Sequence, residues 1–216
     1  MTLSRPNIKA QEIRLLHSKS CLYRELFCGV AEADWHAADD SIISDIKAME
    51  SLVSVRSEIR ALTSSGTVFG VNIGFMTAAC AGDLFLTQVA RSMKSGVIEI
   101  TEHGIENMSP ERMAAALSFC AKARKAGYRI VLDDISSGYP LLEESFFLKA
   151  SPYAVKAVIG IERIESLARM AAGREVLMIV ENIESKEDMV RAAALGANAV
   201  QGYLIGRPSP IASIGS

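Results

Sequence analysis

From residue 66 onward, short β-branched apolar runs alternate with longer segments of helical spacing, and no other feature of the chain narrows its fold as much. The runs are 67–72 (TVFGVN), 97–102 (VIEITE), 129–134 (RIVLDD), 153–157 (YAVKA), 175–182 (EVLMIVEN) and 198–204 (NAVQGYL). Strand, helix and strand in succession are the pattern of βαβ units. Near-continuous apolarity within each run says that both faces are covered, as in a parallel sheet. Two earlier runs, 11–17 (QEIRLLH) and 21–29 (CLYRELFCG), are separated only by Ser18-Lys19-Ser20, which suits a hairpin better than a helical crossover. The count reaches eight strands, with the first antiparallel to its neighbour. An α/β barrel of the TIM-like (β/α)8 kind, typically about 200–250 residues, accommodates this better than an open sheet. No linker and no repeat of fixed period interrupts the chain, so residues 1–216 are expected to form one domain.

The helices carry their own punctuation. Ser109 and Pro110 form an N-cap and first-turn pair ahead of Met113, Leu117 and Cys120, with Gly127 past the end. Glu184, Ser185 and Asp188 open another helix, which Gly196 closes. Between 40 and 62, Ile43, Ile46, Met49, Leu52 and Val53 predict a third, long helix.

Charge and cysteine usage restrict the function. Lys and Arg number 23 against 25 Asp and Glu, with no run of like charge, so neither a nucleic-acid polymer nor an anionic membrane is expected as partner. Cys21, Cys28, Cys80 and Cys120 form no CxxC pair, which points to reduced thiols in a cytoplasmic protein and away from a zinc or redox motif. The N-terminal MTLSRPNIKAQEIR lacks the apolar core of a signal peptide, and the richest apolar stretch, 70–86, is interrupted by Asn72 and Asp83.

Polar residues recur where a buried strand ends. Asn72, Glu99, Asp133, Asp134, Lys156, Glu181 and Gln201 lie within or at the C-terminal ends of the apolar runs. In a barrel those ends converge on one mouth, the place where barrel enzymes keep their chemistry. Each has a plainer explanation: a carboxylate after a strand can cap the next helix, Lys156 can snorkel, and Asn72 can cap a turn. The recurrence in strand after strand favours a site.

Burying an isolated carboxylate is costly unless it is paired or binds a cation. Four carboxylates with one Asn and one Lys make an oxygen-rich, negatively charged group, which selects Mg²⁺ or Mn²⁺ over zinc. His17, His36 and His103 show no ligand spacing. Two adjacent Asp residues suggest a two-metal site, and paired cations serve phosphodiester hydrolysis. An aldolase with Lys156 as a Schiff base is the competing reading in the same fold.

Taken together, 99–102 (EITE), 132–139 (LDDISSGY), 181–184 (ENIE) and 201–208 (QGYLIGRP) resemble the ELTE, LDDFGTGY, EGVE and QGYLFSRP segments of the EAL domain. That family consists of bacterial proteins that hydrolyse cyclic di-GMP to linear pGpG. The resemblance covers essentially the whole chain and implies the EAL-type barrel. It places Glu25, Asn72, Glu99 and Asp133 around one metal, and Asp133, Asp134 and Glu181 around the second. It makes Lys156 the residue that holds the attacking water, Gln201 a support of the metal and water network, and Gln11 a nucleotide contact. Glu102 becomes an anchor for the loop after Asp134.

The departures are specific. Glu25-Leu26-Phe27 stands for E-A-L, and Gly29 stands where an arginine contacts phosphate, with Arg207 as a candidate replacement. The loop at 135–140 reads ISSGYP in place of FGTGYS, and the stretches between Glu25 and Asn72 and between Lys156 and Glu181 are short, so the barrel is expected to be partly truncated. The resemblance implies a homodimer. Its alternative use is a catalytically degenerate domain that binds cyclic di-GMP, or a protein partner, to regulate transcription or motility. No companion signalling module is expected ahead of the barrel.

Overall fold

The computed structural model describes residues 8–28, 42–102, 109–134, 144–162 and 164–214. The chain begins with an antiparallel hairpin, β1 (Lys9–Leu15) and β2 (Cys21–Phe27), turned at Lys19 in the left-handed region (φ 57°). Helices α1 (Ile42–Ser54) and α2 (Arg56–Ser64) follow, then β3 (Phe69–Gly74), α3 (Phe75–Ser92) and β4 (Gly96–Thr101). Next come α4 (Pro110–Lys125), β5 (Tyr128–Asp133), α5 (Glu144–Ala150), β6 (Ala154–Val158), α6 (Ile164–Ala172), β7 (Leu177–Glu181), α7 (Lys186–Ala194), β8 (Ala199–Val200) and β9 (Ser209–Pro210).

Strands β2 to β8 lie side by side in sequence order and parallel, and β1 closes the ring by pairing antiparallel with both β8 and β2. The short β9 pairs with the start of β1. This is the α/β barrel with an antiparallel first strand that the run pattern predicts. Outward residues such as Leu26, Val71, Ile98, Ile100, Ile130, Leu132, Val155 and Val180 are buried beneath the helices.

The period-2 geometry of strands layers the interior. Ile13, Tyr23, Val97, Val131, Ala154, Ile179 and Ala199 form one apolar cluster across the barrel. Two residues further along β2, β4, β5, β6, β7 and β8 stand Glu25, Glu99, Asp133, Lys156, Glu181 and Gln201. On the reversed β1 the same step runs backwards, from Ile13 to Gln11. Strand β3 has Gly70 in the apolar layer and Asn72 above it. A Cβ at Gly70 would lie 2.6 Å from Glu99 Oε1 and 2.8 Å from Tyr23 Cε2, so the missing side chain makes room for both neighbours.

Several element limits differ from the sequence reading, each for a local reason. The single helix expected over 40–62 is two, broken at Val55 (φ −110°, ψ 19°); the bend keeps Met49, Leu52, Val55 and Ile59 all buried. Strand β7 stops short at both ends because Glu175 (φ 56°) and Asn182 (φ 58°) are left-handed. Strand β8 spans only Ala199–Val200, since the backbone from 201 turns to bond with Ile183. The caps are as read: Ser109 Oγ accepts from the Arg112 N–H, and Ser185 and Asp188 make a reciprocal capping box. No described helix is long and apolar enough to cross a membrane.

Candidate metal centre

Strand register brings the polar layer together. Gln11 lies opposite Glu25, Glu25 beside Gly70, Asn72 beside Glu99, and Thr101 beside Asp133. Glu99 and Lys156 are fully buried at 0% exposure, and Glu25, Asp133, Gln11 and Gln201 are also buried. Asn72 and Glu181 are half-buried, and Asp134 is exposed at the rim. Lys156 does not snorkel out. Its Nζ donates to Glu99 Oε2 (2.6 Å), Asp133 Oδ2 (2.8 Å) and Glu25 Oε2 (3.1 Å), and stands 3.0 Å from Glu181 Oε1.

Two groups of carboxylates have oxygens close enough to share a cation: Glu25, Glu99 and Asp133, and Asp133, Asp134 and Glu181. Asp133 belongs to both. Asp134 presents its carboxylate at the rim from a left-handed backbone (φ 53°), and its N–H donates to Asp133 Oδ1 (2.8 Å). Asn72 Nδ2 donates to Glu25 Oε1 (2.5 Å), which leaves Asn72 Oδ1 pointing elsewhere. Asn72 Oδ1, Glu99 Oε1 and Gln201 Oε1 are buried and have no hydrogen-bond partner. Orphaned acceptor oxygens among crowded carboxylates are a donor set that fits a hard divalent cation.

The electrostatics agree. Burial, then the Glu25 charge, pushes the Glu99 carboxyl well above the usual range, with Lys156 opposing. Burial and then Asp133 do the same to Glu181. Burial alone would push Lys156 down, but Asp133, Glu181, Glu25 and Glu99 together hold it well above the ordinary lysine value. A lysine fixed as an ammonium has no lone pair for a Schiff base, so the aldolase reading loses its nucleophile. Burial pushes the Cys28 thiol up to about 12 and Cys120 to about 11, so neither offers a thiolate at neutral pH. All four cysteines are free, and His17 lies exposed in the hairpin turn at the far end of the barrel.

A cavity of about 600 Å³ opens over this centre. Of the residues singled out in the sequence, Gln11, Glu25, Asn72, Asp133, Asp134, Glu181 and Gln201 line it. Gln201 Nε2 donates to Glu25 Oε2 (2.8 Å) and Gln11 Oε1 (3.1 Å), and Gln11 Nε2 donates to the Gly206 carbonyl (2.8 Å). Arg207 is not in the wall but stacks on Tyr203, which is. Glu102 is half-buried just past β4. The loop it was expected to anchor, 135–140, lies outside the described residues, as do Gly29, His36 and His103.

Sequence reasoning gave no site role to Tyr23, Asp45, Glu184 or Tyr203, although Glu184 was read as a helix opener and Tyr203 lies in the 201–208 segment. Tyr23 was findable, because it stands two residues before Glu25 as Val97 stands before Glu99. Asp45, which accepts from the Gly74 N–H (3.0 Å), had no comparable signal, since the contact joins α1 to the end of β3.

Comparison with known proteins places this geometry in a family. The EAL domain model matches residues 36–208. The cyclic di-GMP phosphodiesterase RocR of Pseudomonas aeruginosa is 28% identical over 138 residues, covering 58% of this chain and 33% of RocR. The probable cyclic di-GMP phosphodiesterase PdeA of Escherichia coli is 25% identical over 130 residues, covering 56% of this chain and 17% of PdeA. The chain thus spans a third or less of the length of the curated relatives it matches. Among solved structures, the PaMucR phosphodiesterase in complex with c-di-GMP superposes with a TM-score of 0.76 at 18% identity, covering 95% of this chain and 92% of that one. The calcium and cyclic di-GMP complex of Klebsiella pneumoniae BlrP1 gives 0.74 at 18% identity, with 96% and 57% covered. On the matched segment and the barrel with its acidic mouth, the chain belongs to the EAL domain family.

Proposed function

We propose that this chain hydrolyses cyclic di-GMP to linear pGpG with the help of two divalent cations, Mg²⁺ or Mn²⁺, within a single barrel domain over 1–216. The observation that carries the reading is the pair of carboxylate groups sharing Asp133. Glu25, Asn72, Glu99 and Asp133 would hold one cation, and Asp133, Asp134 and Glu181 the other. Bound there, such cations supply a more acidic water and charge neutralisation at the phosphoryl oxygens.

The chain's own residues do the rest. Lys156 gives its three N–H groups to Glu99, Asp133 and Glu25; once cations engage those carboxylates, an N–H released from one of them would orient the attacking water, and the ammonium adds positive charge where negative charge develops on the phosphorus oxygens. The water oxygen bonds to phosphorus and gives up a proton to a carboxylate lining the cavity, the bond from phosphorus to the ribose 3′ oxygen breaks, and that oxygen takes the proton in turn, leaving a 5′ phosphate on the opened dinucleotide. Gln201 fixes Glu25 and Gln11 in place. The apolar layer below the acids keeps water out from underneath and strengthens each of these contacts.

A receptor that binds without turnover has no use for Asp134, Glu181 and Lys156 converging on Asp133, so the arrangement favours hydrolysis. The deciding experiment incubates the purified protein with cyclic di-GMP and Mg²⁺ or Mn²⁺ and separates the nucleotides by chromatography. Formation of pGpG that is lost with chelator and in Glu25→Ala is the expected result. Intact substrate in every lane would sink the enzymatic reading.

A further inference from the structure

The described residues lining the cavity include six carboxylates (Glu25, Asp45, Asp133, Asp134, Glu181 and Glu184) and no lysine, arginine or histidine. A doubly anionic dinucleotide therefore meets a wall of its own sign wherever cations are not bound, and its grip must come from elsewhere. One step behind the wall lies a cation, the Arg207 guanidinium, 4.2 Å from the centroid of the Tyr203 ring. Tyr203 itself lines the cavity and is 42% exposed.

The turn that carries this pair is held from three sides. A Cβ at Gly202 would fall 2.3 Å from both Ile183 N and Ile183 O, so residues 182–183 and 201–203 are in backbone contact that only glycine permits. Ile183 N–H donates to the Gln201 carbonyl (3.1 Å), and Leu204 N–H returns a bond to the Ile183 carbonyl (2.9 Å). Ile205 and Gly206 N–H groups both donate to the Gly202 carbonyl, and Gln11 ties the Gly206 carbonyl to β1. A half-exposed aromatic ring on a pinned turn, with a guanidinium over it, is ordered before any ligand arrives. Such preorganisation lowers the cost of binding a flat partner.

We propose that Tyr203 and Arg207 form a purine platform at the rim of the centre: a guanine of the dinucleotide stacks on the Tyr203 ring, which Arg207 holds in plane from its other side. This rests on the cyclic di-GMP reading above and names where one base of that substrate sits. The guanidinium also brings positive charge to the approach of a phosphate that the wall repels.

Calorimetric titration with cyclic di-GMP in the presence of Ca²⁺, with the nucleotide verified intact by chromatography, tests it. Tyr203→Phe keeps the ring and should bind within about twofold of wild type. Tyr203→Leu keeps bulk without a π face and should bind roughly ten- to hundredfold more weakly, the range for losing one base–aromatic stack. Arg207→Ala should fall between them, and thermal melts of all three should match wild type because both side chains are exposed. Equal affinity of wild type and Tyr203→Leu overturns the platform while leaving the function intact. Weakening in Arg207→Ala with none in Tyr203→Leu overturns it in favour of a phosphate contact. No binding by wild type overturns the platform together with the reading beneath it.

Discussion

Gly70 and Glu99 meet across adjacent strands so closely that a single added methyl at Gly70 would sit 2.6 Å from Glu99 Oε1. The same methyl would press on the Tyr23 ring at 2.8 Å. Gly70→Ala must therefore displace a fully buried carboxylate or a fully buried ring. The expected cost is about 1–3 kcal/mol, read from chemical denaturation, the usual range for overpacking a core. Mn²⁺ affinity, followed by calorimetry, should fall as well, because the displaced Glu99 belongs to the first carboxylate group. Unchanged affinity with lowered stability would mean that Tyr23 alone gives way.

Asp133 is the shared member of both carboxylate groups, which makes metal stoichiometry a sharper probe than activity. Wild type should bind about two Mn²⁺ per chain, in keeping with a paired site. Glu181→Gln, touching only the second group, should bind about one, whereas Asp133→Asn should lose both. If Asp133→Asn and Glu181→Gln titrate alike, the two groups do not share a ligand.

Lys156 is fully buried among four carboxylates, of which Glu25, Glu99 and Asp133 are buried and Glu181 is half-buried. Lys156→Met leaves that charge uncompensated. Breaking a buried ion pair from one side costs about 3–5 kcal/mol. Added Mg²⁺ or Mn²⁺ should then raise the melting temperature of the variant more than that of wild type, since a ligand that binds only the folded state stabilises it in proportion to occupancy. Equal metal-induced shifts would show that the ammonium is not a counter-ion to the acids.

The capping box of α7 predicts an acid-dependent effect away from the centre. The Ser185 hydrogen bond, aided by backbone N–H donors of Glu184 and Ser185, holds the Asp188 carboxyl below its usual value. A carboxyl lowered by folding stabilises the folded state above its unfolded value, and that contribution fades as the pH falls through the folded value. Ser185→Ala should cost about 1 kcal/mol near neutrality, a typical price for a lost N-cap. The gap between variant and wild type should narrow on acidification below the ordinary aspartate range. A gap that stays constant well below that range would separate the cap from Asp188 ionisation.

What the sequence made legible is what short-range rules govern. The two-residue step, the hairpin at Ser18–Ser20 and the caps at Ser109 and Ser185 each depend on a few neighbouring residues, and each is present. The acids at strand ends were visible because a carboxylate at the close of an apolar run conflicts with burial. What escaped depends on which strands become neighbours. That Tyr23 fills the space left by Gly70 follows from the β2–β3 register, which no local pattern encodes. The break at Val55 escaped because apolar spacing continues through it, so periodicity alone reads one helix where the core requires a bend.

The reversed direction of β1 has a positional meaning. Because β1 runs against its neighbours, Lys9 enters the barrel beside Phe27, level with the acidic rim, and the Lys9–Pro210 pairing brings the returning chain to the same edge. Gln11, bonded to the Gly206 carbonyl and accepting from Gln201, lies two residues inside that edge. The seam between β1 and β9 therefore lies at the acidic edge of the barrel, and the Gln11–Gln201 pair links that seam directly to Glu25.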